Sequence, residues 1–118
     1  MKKIYYLKTC DTCKRILRSL PVDDFRFQEI KTEPITEEQL NQLRARTGSY
    51  EALFSRRAKK YKEMGLKDQE LTEEDYRHYI LEDYTFLQRP VIVAGDEIFV
   101  GSGKKNLEAL ERYFKRKS

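Results

Sequence analysis

The sequence has few residues that could bind a metal, and it lacks any long apolar run. Two cysteines and one histidine could supply at most three of the four ligands that a structural zinc site takes, so no metal centre is expected. No apolar run approaches the ~20 residues that a membrane span needs. Residues 1–7 lack the apolar stretch and the cleavage site of a secretory signal, so we expect a cytoplasmic protein.

The chain also lacks a large excess of charge of either sign. It contains 24 Lys and Arg against 20 Asp and Glu, which gives a formal net charge of +4. This mild surplus suits anionic partners such as an oxyanion, glutathione or an acidic protein surface. Direct nucleic-acid binding is not expected, because the one basic cluster, Lys115–Lys117, lies in the tail and no basic stripe is interleaved with aromatic residues.

The first thirty residues predict a strand, a helix and a second strand. Asp11 or Thr12 can cap the helix, and Phe25 and Phe27 alternate with polar neighbours in the second strand. A strand, a helix and a strand joined by short connections indicate a right-handed parallel βαβ unit. The predicted elements are Lys3–Leu7, a helix from residue 11 to about Leu20, and a strand from about Asp24 to Ile30.

From Glu33 to about Phe86 the pattern becomes helical. Thr36 and Thr72 each begin a sequence that is typical of a capping box. Between these two helices we expect a short turn over 50–54 and a helix from Arg57 to Met64 that Gly65 ends. The predicted helical insert covers residues 34–88.

The end of the chain predicts two strands and a final helix. Val91–Val93 and Glu97–Val100 flank a tight turn at Gly95-Asp96, and Asn106–Phe114 has apolar residues at helical spacing. The order βαβ, helical insert, ββα predicts an α/β protein with a thioredoxin-like mixed four-stranded sheet. Its length is that of a single domain, 1–118.

The residues most indicative of chemistry are Cys10-Asp11-Thr12-Cys13. Cys10 should lie between a strand and a helix, where free backbone N–H groups and the helix dipole favour the thiolate, which is the reactive form. Cys13, one turn into the helix, could attack a sulfur adduct on Cys10. Lys8 and Lys14 add positive charge nearby. This spacing is typical of a functional dithiol in a reducing compartment.

Proline and arginine provide the remaining candidates. In a thioredoxin-like sheet a cis-proline lies before the third strand, opposite the dithiol, and this topology assigns that place to Pro90. A guanidinium is planar and permanently charged, so it suits an oxyanion or a carboxylate. The candidates are Arg56, Arg57 and Arg89, of which Arg89 is favoured because it adjoins Pro90.

These features together resemble the arsenate reductase (ArsC)/Spx family over nearly the whole chain. The resemblance implies that Cys10 attacks arsenate or a disulfide and that Arg89 helps to bind the oxyanion. It also implies a second arginine in the helical insert, Arg57 or its neighbour Arg56. The matching pieces are Tyr5–Cys13, Leu53-Phe54-Ser55-Arg56-Arg57, Leu87-Gln88-Arg89-Pro90-Val91-Ile92-Val93 and Phe99-Val100-Gly101.

The resemblance leaves two functions open. The first is an arsenate reductase-like thiol oxidoreductase with no bound cofactor, glutathione as co-substrate, and glutaredoxin or thioredoxin as partner. The alternative is an Spx-like redox-sensing regulator that binds the RNA polymerase α subunit through a Cys10–Cys13 disulfide switch. Cys13 favours the alternative, because glutaredoxin-dependent arsenate reductases usually have a non-cysteine residue there. Val100–Gly103 also lacks the third arginine of those enzymes.

Overall fold

A computed structural model of the protein describes residues 1–117, which form two compact units. The sheet unit contains Met1–Glu33 and the chain from Arg89 onward, and the helical unit contains Pro34–Gln88. The strands are β1 (Lys2–Tyr6), β2 (Arg26–Glu29), β3 (Val91–Ala94) and β4 (Glu97–Val100). The α-helices are α1 (Asp11–Arg18), α2 (Glu37–Thr47), α3 (Lys59–Glu63), α4 (Glu73–Glu82) and α5 (Lys104–Lys117).

The sheet unit has the predicted mixed topology. Its strand order is β2-β1-β3-β4, with β1 parallel to β2 and antiparallel to β3, and with β3 antiparallel to β4. Ile4 of β1 lies between Phe27 of β2 and Ile92 of β3. The four-stranded α/β fold predicted from the sequence is therefore confirmed.

The core of the sheet unit forms where α1 and α5 contact the sheet. Ile16 from α1 and Leu110 and Tyr113 from α5 pack with apolar residues of the strands, while Leu17 and Leu20 border this cluster. The buried members are Ile4, Ile16, Val22, Phe25, Ile92, Ala94, Phe99, Leu110 and Tyr113.

Strand β2 differs from its prediction. The structure limits it to Arg26–Glu29, and Phe27 is 46% exposed, whereas Gln28 is 1% exposed. Strand β2 is the edge of the sheet, so Phe27 has only one neighbouring strand and contacts Tyr6 edge-on at 5.7 Å between ring centroids. Gln28 is buried with its amide donating to the carbonyl of Glu33 at 3.1 Å. The alternation of aromatic and polar residues therefore does not predict burial in β2: Phe27 is exposed because the strand is an edge, and Gln28 can be buried because its amide is hydrogen-bonded.

Helix α1 also begins and ends differently from the prediction. Its N-cap is Cys10 rather than Asp11 or Thr12, and Asp11 is the first helical residue. The helix ends at Arg18, because the backbone N–H and the hydroxyl of Ser19 both bond the carbonyl of Ile16, at 3.1 and 2.7 Å. Both bonds tighten the last turn and leave Leu20 outside the helix.

In the helical unit both predicted capping boxes are present. Thr36 accepts from the N–H of Gln39 at 3.0 Å, and Thr72 accepts from that of Asp75 at 3.2 Å, with both reciprocal bonds in place. Gly65 follows α3 with a φ of 65°, as expected of a residue that ends a helix.

Several other elements have bounds that differ from the predicted ones, and β3 extends one residue further, to Ala94. Strand β1 begins and ends one residue earlier than predicted. Helix α3 is shorter than predicted because Ala58 is extended, and α5 is longer at both ends.

One partly buried carboxylate supports the junction after α4. Asp83 pairs with Lys60 at 2.6 Å and accepts from the N–H and the hydroxyl of Thr85 at 2.9 and 2.6 Å. Burial raises the pKa of Asp83, but these donors outweigh it and hold that pKa at about 2.

We predict that Asp83→Asn lowers the free energy of unfolding at pH 7 by roughly 1–2 kcal/mol, since water around Lys60 screens part of the interaction. A carboxyl whose folded-state pKa is depressed stabilises the protein above its unfolded-state pKa, and this contribution disappears as pH falls through the folded-state value. The difference between wild type and Asp83→Asn should therefore be constant above about pH 5, shrink as pH falls, and reach its smallest value below about pH 2. Urea unfolding at several pH values measures it, and a difference independent of pH would contradict the assignment.

Candidate active site

The turn between β1 and α1 holds Cys10 at the start of the helix. The N–H of Cys10 donates to the carbonyl of Leu7 at 3.0 Å, and its own carbonyl accepts from the N–H of Lys14 at 3.1 Å. Its backbone is extended, with φ −91° and ψ 106°, and no side chain caps the helix. Because the first N–H groups of a helix have no intrahelical partners, this position favours a negative charge on Cys10.

Cys10 is partly exposed, and its surroundings stabilise the thiolate. Burial raises its pKa, but hydrogen bonds from the backbone N–H of Cys13 and from Arg89, together with the thiol of Cys13 and the charge of Arg89, outweigh burial. The net effect is a pKa below the ordinary value. The cation that acts on Cys10 is thus Arg89, whereas Lys14 lies 3.8 Å from the carboxylate of Asp11.

Cys13 has the opposite environment. Its side chain is fully buried, and both thiols are free. Burial and the neighbouring charge of Cys10 raise the pKa of Cys13 to about 12, against the lowering effect of a backbone hydrogen bond at Leu7. At neutral pH the pair therefore consists of a reactive sulfur at Cys10 and a protonated one at Cys13.

Arg89 and Pro90 belong to the same unit as the two cysteines. The Arg89–Pro90 peptide bond is cis, as the topology predicts. Pro90 is buried, Arg89 is half-buried, and the guanidinium of Arg89 hydrogen-bonds the Cys10 sulfur. The sheet unit thus brings together four of the six predicted site residues.

Arg56 and Arg57 belong to the helical unit. Arg56 pairs with Glu51 at 2.7 Å and donates to the hydroxyl of Tyr76 at 3.2 Å. The hydrogen bond to Glu51 raises the pKa of Arg56 above its ordinary value, and this effect outweighs burial, which lowers the pKa. Arg57 is exposed, and within residues 1–117 it forms no ion pair. The roles of both arginines at the site stay predictions.

Glu29, which was not among the predicted site residues, accepts a hydrogen bond from the turn that leads to Cys10. Its carboxylate accepts from the N–H of Lys8 at 2.8 Å and from those of Lys31 and Thr32 at 3.0 and 2.8 Å. In the sequence Glu29 lies inside the strand predicted from about Asp24 to Ile30. No local pattern links it to a turn 21 residues earlier in the chain.

The described part of the chain contains neither a group of metal-binding side chains nor a membrane-spanning helix. No group of three His, Cys, Asp or Glu side chains there could hold a metal ion. None of the helices formed by residues 1–117 has the length and apolar character to cross a bilayer.

We predict that Arg89→Ala raises the pKa of Cys10, because it removes both a hydrogen bond and a positive charge from the thiolate. The rate of iodoacetamide alkylation, measured against pH, should show a higher midpoint and a several-fold lower rate at pH 7. Arg89→Lys keeps the charge but not the planar fork, so it should fall between wild type and Arg89→Ala. An unchanged midpoint in Arg89→Ala would rule out this role for Arg89.

Comparisons with known proteins agree with the fold. A model of the ArsC family matches residues 5–110. The global transcriptional regulator Spx of Lactiplantibacillus plantarum is 26% identical over 117 residues, which cover 97% of this chain and 86% of that protein.

Two solved structures extend the comparison. The NMR structure of a Staphylococcus aureus COL protein aligns with a TM-score of 0.71 and 27% identity, over 93% of this chain and 98% of that one. An arsenate reductase from Vibrio cholerae aligns with a TM-score of 0.73 over 94% of this chain and 95% of that one. Its 18% identity shows a shared fold alone. Since the family model spans most of the chain, which includes both cysteines and Arg89, this protein belongs to the ArsC family.

Proposed function

We propose that this protein is a thiol oxidoreductase in which Cys10 is the nucleophile and Cys13 the resolving thiol. The observation that carries the proposal is the placement of the two free thiols: Cys10 is partly exposed at the N-cap of α1, whereas Cys13 is fully buried in the first turn of the helix. This placement lowers the pKa of Cys10 and raises that of Cys13. A low-pKa, partly exposed thiol beside a second, protonated thiol suits attack followed by resolution.

The proposed substrate is a small oxyanion of the arsenate type, with glutathione as co-substrate. The Cys10 thiolate attacks arsenic and forms an S–As bond, and one arsenate oxygen takes up protons and leaves as water. A glutathione thiolate then attacks the Cys10 sulfur, so the S–As electron pair returns to arsenic and arsenite leaves. Arsenic gains two electrons, and the two thiols lose them as a mixed disulfide between Cys10 and glutathione.

Cys13 is suited to act only after Cys10 has reacted. The charge of the Cys10 thiolate is one cause of the high pKa of Cys13, and this charge disappears once Cys10 forms a covalent bond. Burial, the larger cause, remains, but the pKa of Cys13 falls by the share that the charge contributed, which favours its attack on the mixed disulfide and the release of glutathione. The product is a Cys10–Cys13 disulfide, which glutaredoxin or thioredoxin would reduce.

The proposed oxyanion ligand in the sheet unit is Arg89. Its guanidinium is already bonded to the attacking sulfur, so it can orient both the nucleophile and a bound anion. In the helical unit Arg56 is engaged by Glu51 and Tyr76, whereas Arg57 is exposed, and a role for either arginine rests on the family resemblance alone.

We predict that the purified protein with glutathione, glutaredoxin and NADPH-coupled glutathione reductase reduces arsenate. Cys10→Ser should abolish turnover, because serine at this position is not ionised at neutral pH. Cys13→Ser should leave the first attack on arsenate intact, because glutaredoxin can reduce the mixed disulfide of Cys10 and glutathione directly. In a separate assay with thioredoxin in place of glutaredoxin, Cys13→Ser should be slower than wild type, because no Cys10–Cys13 disulfide can form. Wild-type turnover no faster than that of Cys10→Ser would refute the arsenate reductase proposal.

A second candidate function is a redox-sensing regulator. It is favoured by similarity to a global transcriptional regulator over 97% of this chain and by the presence of Cys13. In this proposal oxidation joins Cys10 and Cys13, and the disulfide alters a surface that binds the RNA polymerase α subunit.

We predict for this candidate that the C-terminal domain of the polymerase α subunit is retained by the immobilised protein to a different extent before and after oxidation with diamide. The Cys10→Ser variant should lose the redox response but keep the basal binding. Absence of binding in both redox states would exclude the regulator.

A further inference from the structure

The carboxylate of Glu29 connects two loops at one end of the sheet. One oxygen accepts from the N–H of Lys8 at 2.8 Å. The other accepts from the N–H groups of Lys31 and Thr32 at 3.0 and 2.8 Å and from the hydroxyl of Thr32 at 3.1 Å. Glu29 therefore uses both oxygens, and three of its four donors are backbone N–H groups.

The first of these loops is the turn that positions both cysteines. Lys8 lies between Leu7 and Cys10, and the carbonyl of Leu7 accepts from the N–H of Cys10 at 3.0 Å. The backbone of Leu7 also hydrogen-bonds Cys13. The N–H of Lys8 thus donates to Glu29 from the segment that hydrogen-bonds both cysteines.

The hydrogen bonds favour the ionised form of Glu29. Burial raises its pKa, but the bonds from Lys8, Thr32 and Lys31 outweigh burial and hold the pKa below its ordinary value. An exposed glutamate that is merely solvated has no such set of backbone donors. The arrangement is specific for a carboxylate, because an amide has only one accepting atom.

We propose that Glu29 is a positioning residue for the Cys10 nucleophile. Its carboxylate ties the Leu7–Cys10 turn to the end of β2, which keeps the Cys10 sulfur within reach of the Cys13 N–H and the Arg89 guanidinium. This proposal rests on the assignment of Cys10 as the nucleophile, but it concerns the thiolate itself and not the substrate.

Two variants separate positioning from charge. Glu29→Ala removes all four bonds. Glu29→Gln keeps the size and one accepting oxygen, so it can hold Lys8 or the Lys31–Thr32 turn but not both. Glu108→Gln is the matched control, because Glu108 is an exposed glutamate on α5.

The first measurement is the rate of iodoacetamide alkylation of Cys10 against pH, with circular dichroism to establish that each variant is folded. Loss of a negative charge alone would lower the pKa of Cys10, whereas loss of positioning weakens its hydrogen bonds and raises it. We expect the midpoint to rise by about half to one unit in Glu29→Ala and by less in Glu29→Gln. At a pH below both midpoints this corresponds to a roughly three- to tenfold slower alkylation.

The second measurement is amide hydrogen exchange at Lys8, which should accelerate about tenfold in Glu29→Ala because a charge-assisted hydrogen bond is lost. Glu108→Gln should match wild type in both measurements. A Cys10 midpoint that is unchanged or lowered in folded Glu29 variants would overturn the proposal, even with faster exchange at Lys8. If Glu29→Ala does not fold, the midpoint of Glu29→Gln decides.

The outcome is independent of the substrate. Alkylation requires neither arsenate nor a polymerase subunit, so failure of the arsenate assay leaves this test intact. Conversely, an unchanged midpoint would remove Glu29 from the site without altering the evidence for Cys10.

Discussion

The hydrogen bonds that converge on the Cys10 sulfur are the interaction on which the rest of the site depends. The N–H of Cys13 and the guanidinium of Arg89 both act on this sulfur and together outweigh the effect of burial on its pKa. Each donor comes from a different part of the sheet unit: Cys13 from the first turn of α1, and Arg89 from the residue before the cis peptide bond that precedes β3. The mixed sheet is therefore what brings a cation to the start of the helix, since β1 and β3 are paired along four residues.

The same arrangement gives the two thiols different properties from one short motif. Cys10 caps the helix and is partly exposed, whereas Cys13 is one turn inside and fully buried. Burial and the charge on Cys10 raise the pKa of Cys13, so Cys13 stays protonated while Cys10 is unreacted. Burial and charge thereby set an order of reaction that the spacing of the motif alone does not specify.

The sequence predicted features that depend on local patterns. The capping boxes at Thr36 and Thr72 and the strand–helix placement of Cys10 all follow from neighbouring residues. The exposure of Phe27 did not, because it depends on β2 being the edge of the sheet. Glu29 was missed for a related reason: its bond to Lys8 spans 21 residues and exists only once β1 and β2 are paired. Arg89 was singled out because the topology places it next to Pro90, whereas Arg57 was singled out by family resemblance and its role stays a prediction.

The most direct test of the account is a titration of both cysteines by NMR, with ¹³Cβ shifts followed in the reduced protein. We expect Cys10 to titrate below the ordinary value of a thiol and Cys13 to stay protonated until about pH 12. Cys10 titrating at or above the ordinary value, or both thiols titrating together, would contradict the central claim that the fold singles out one sulfur as the nucleophile.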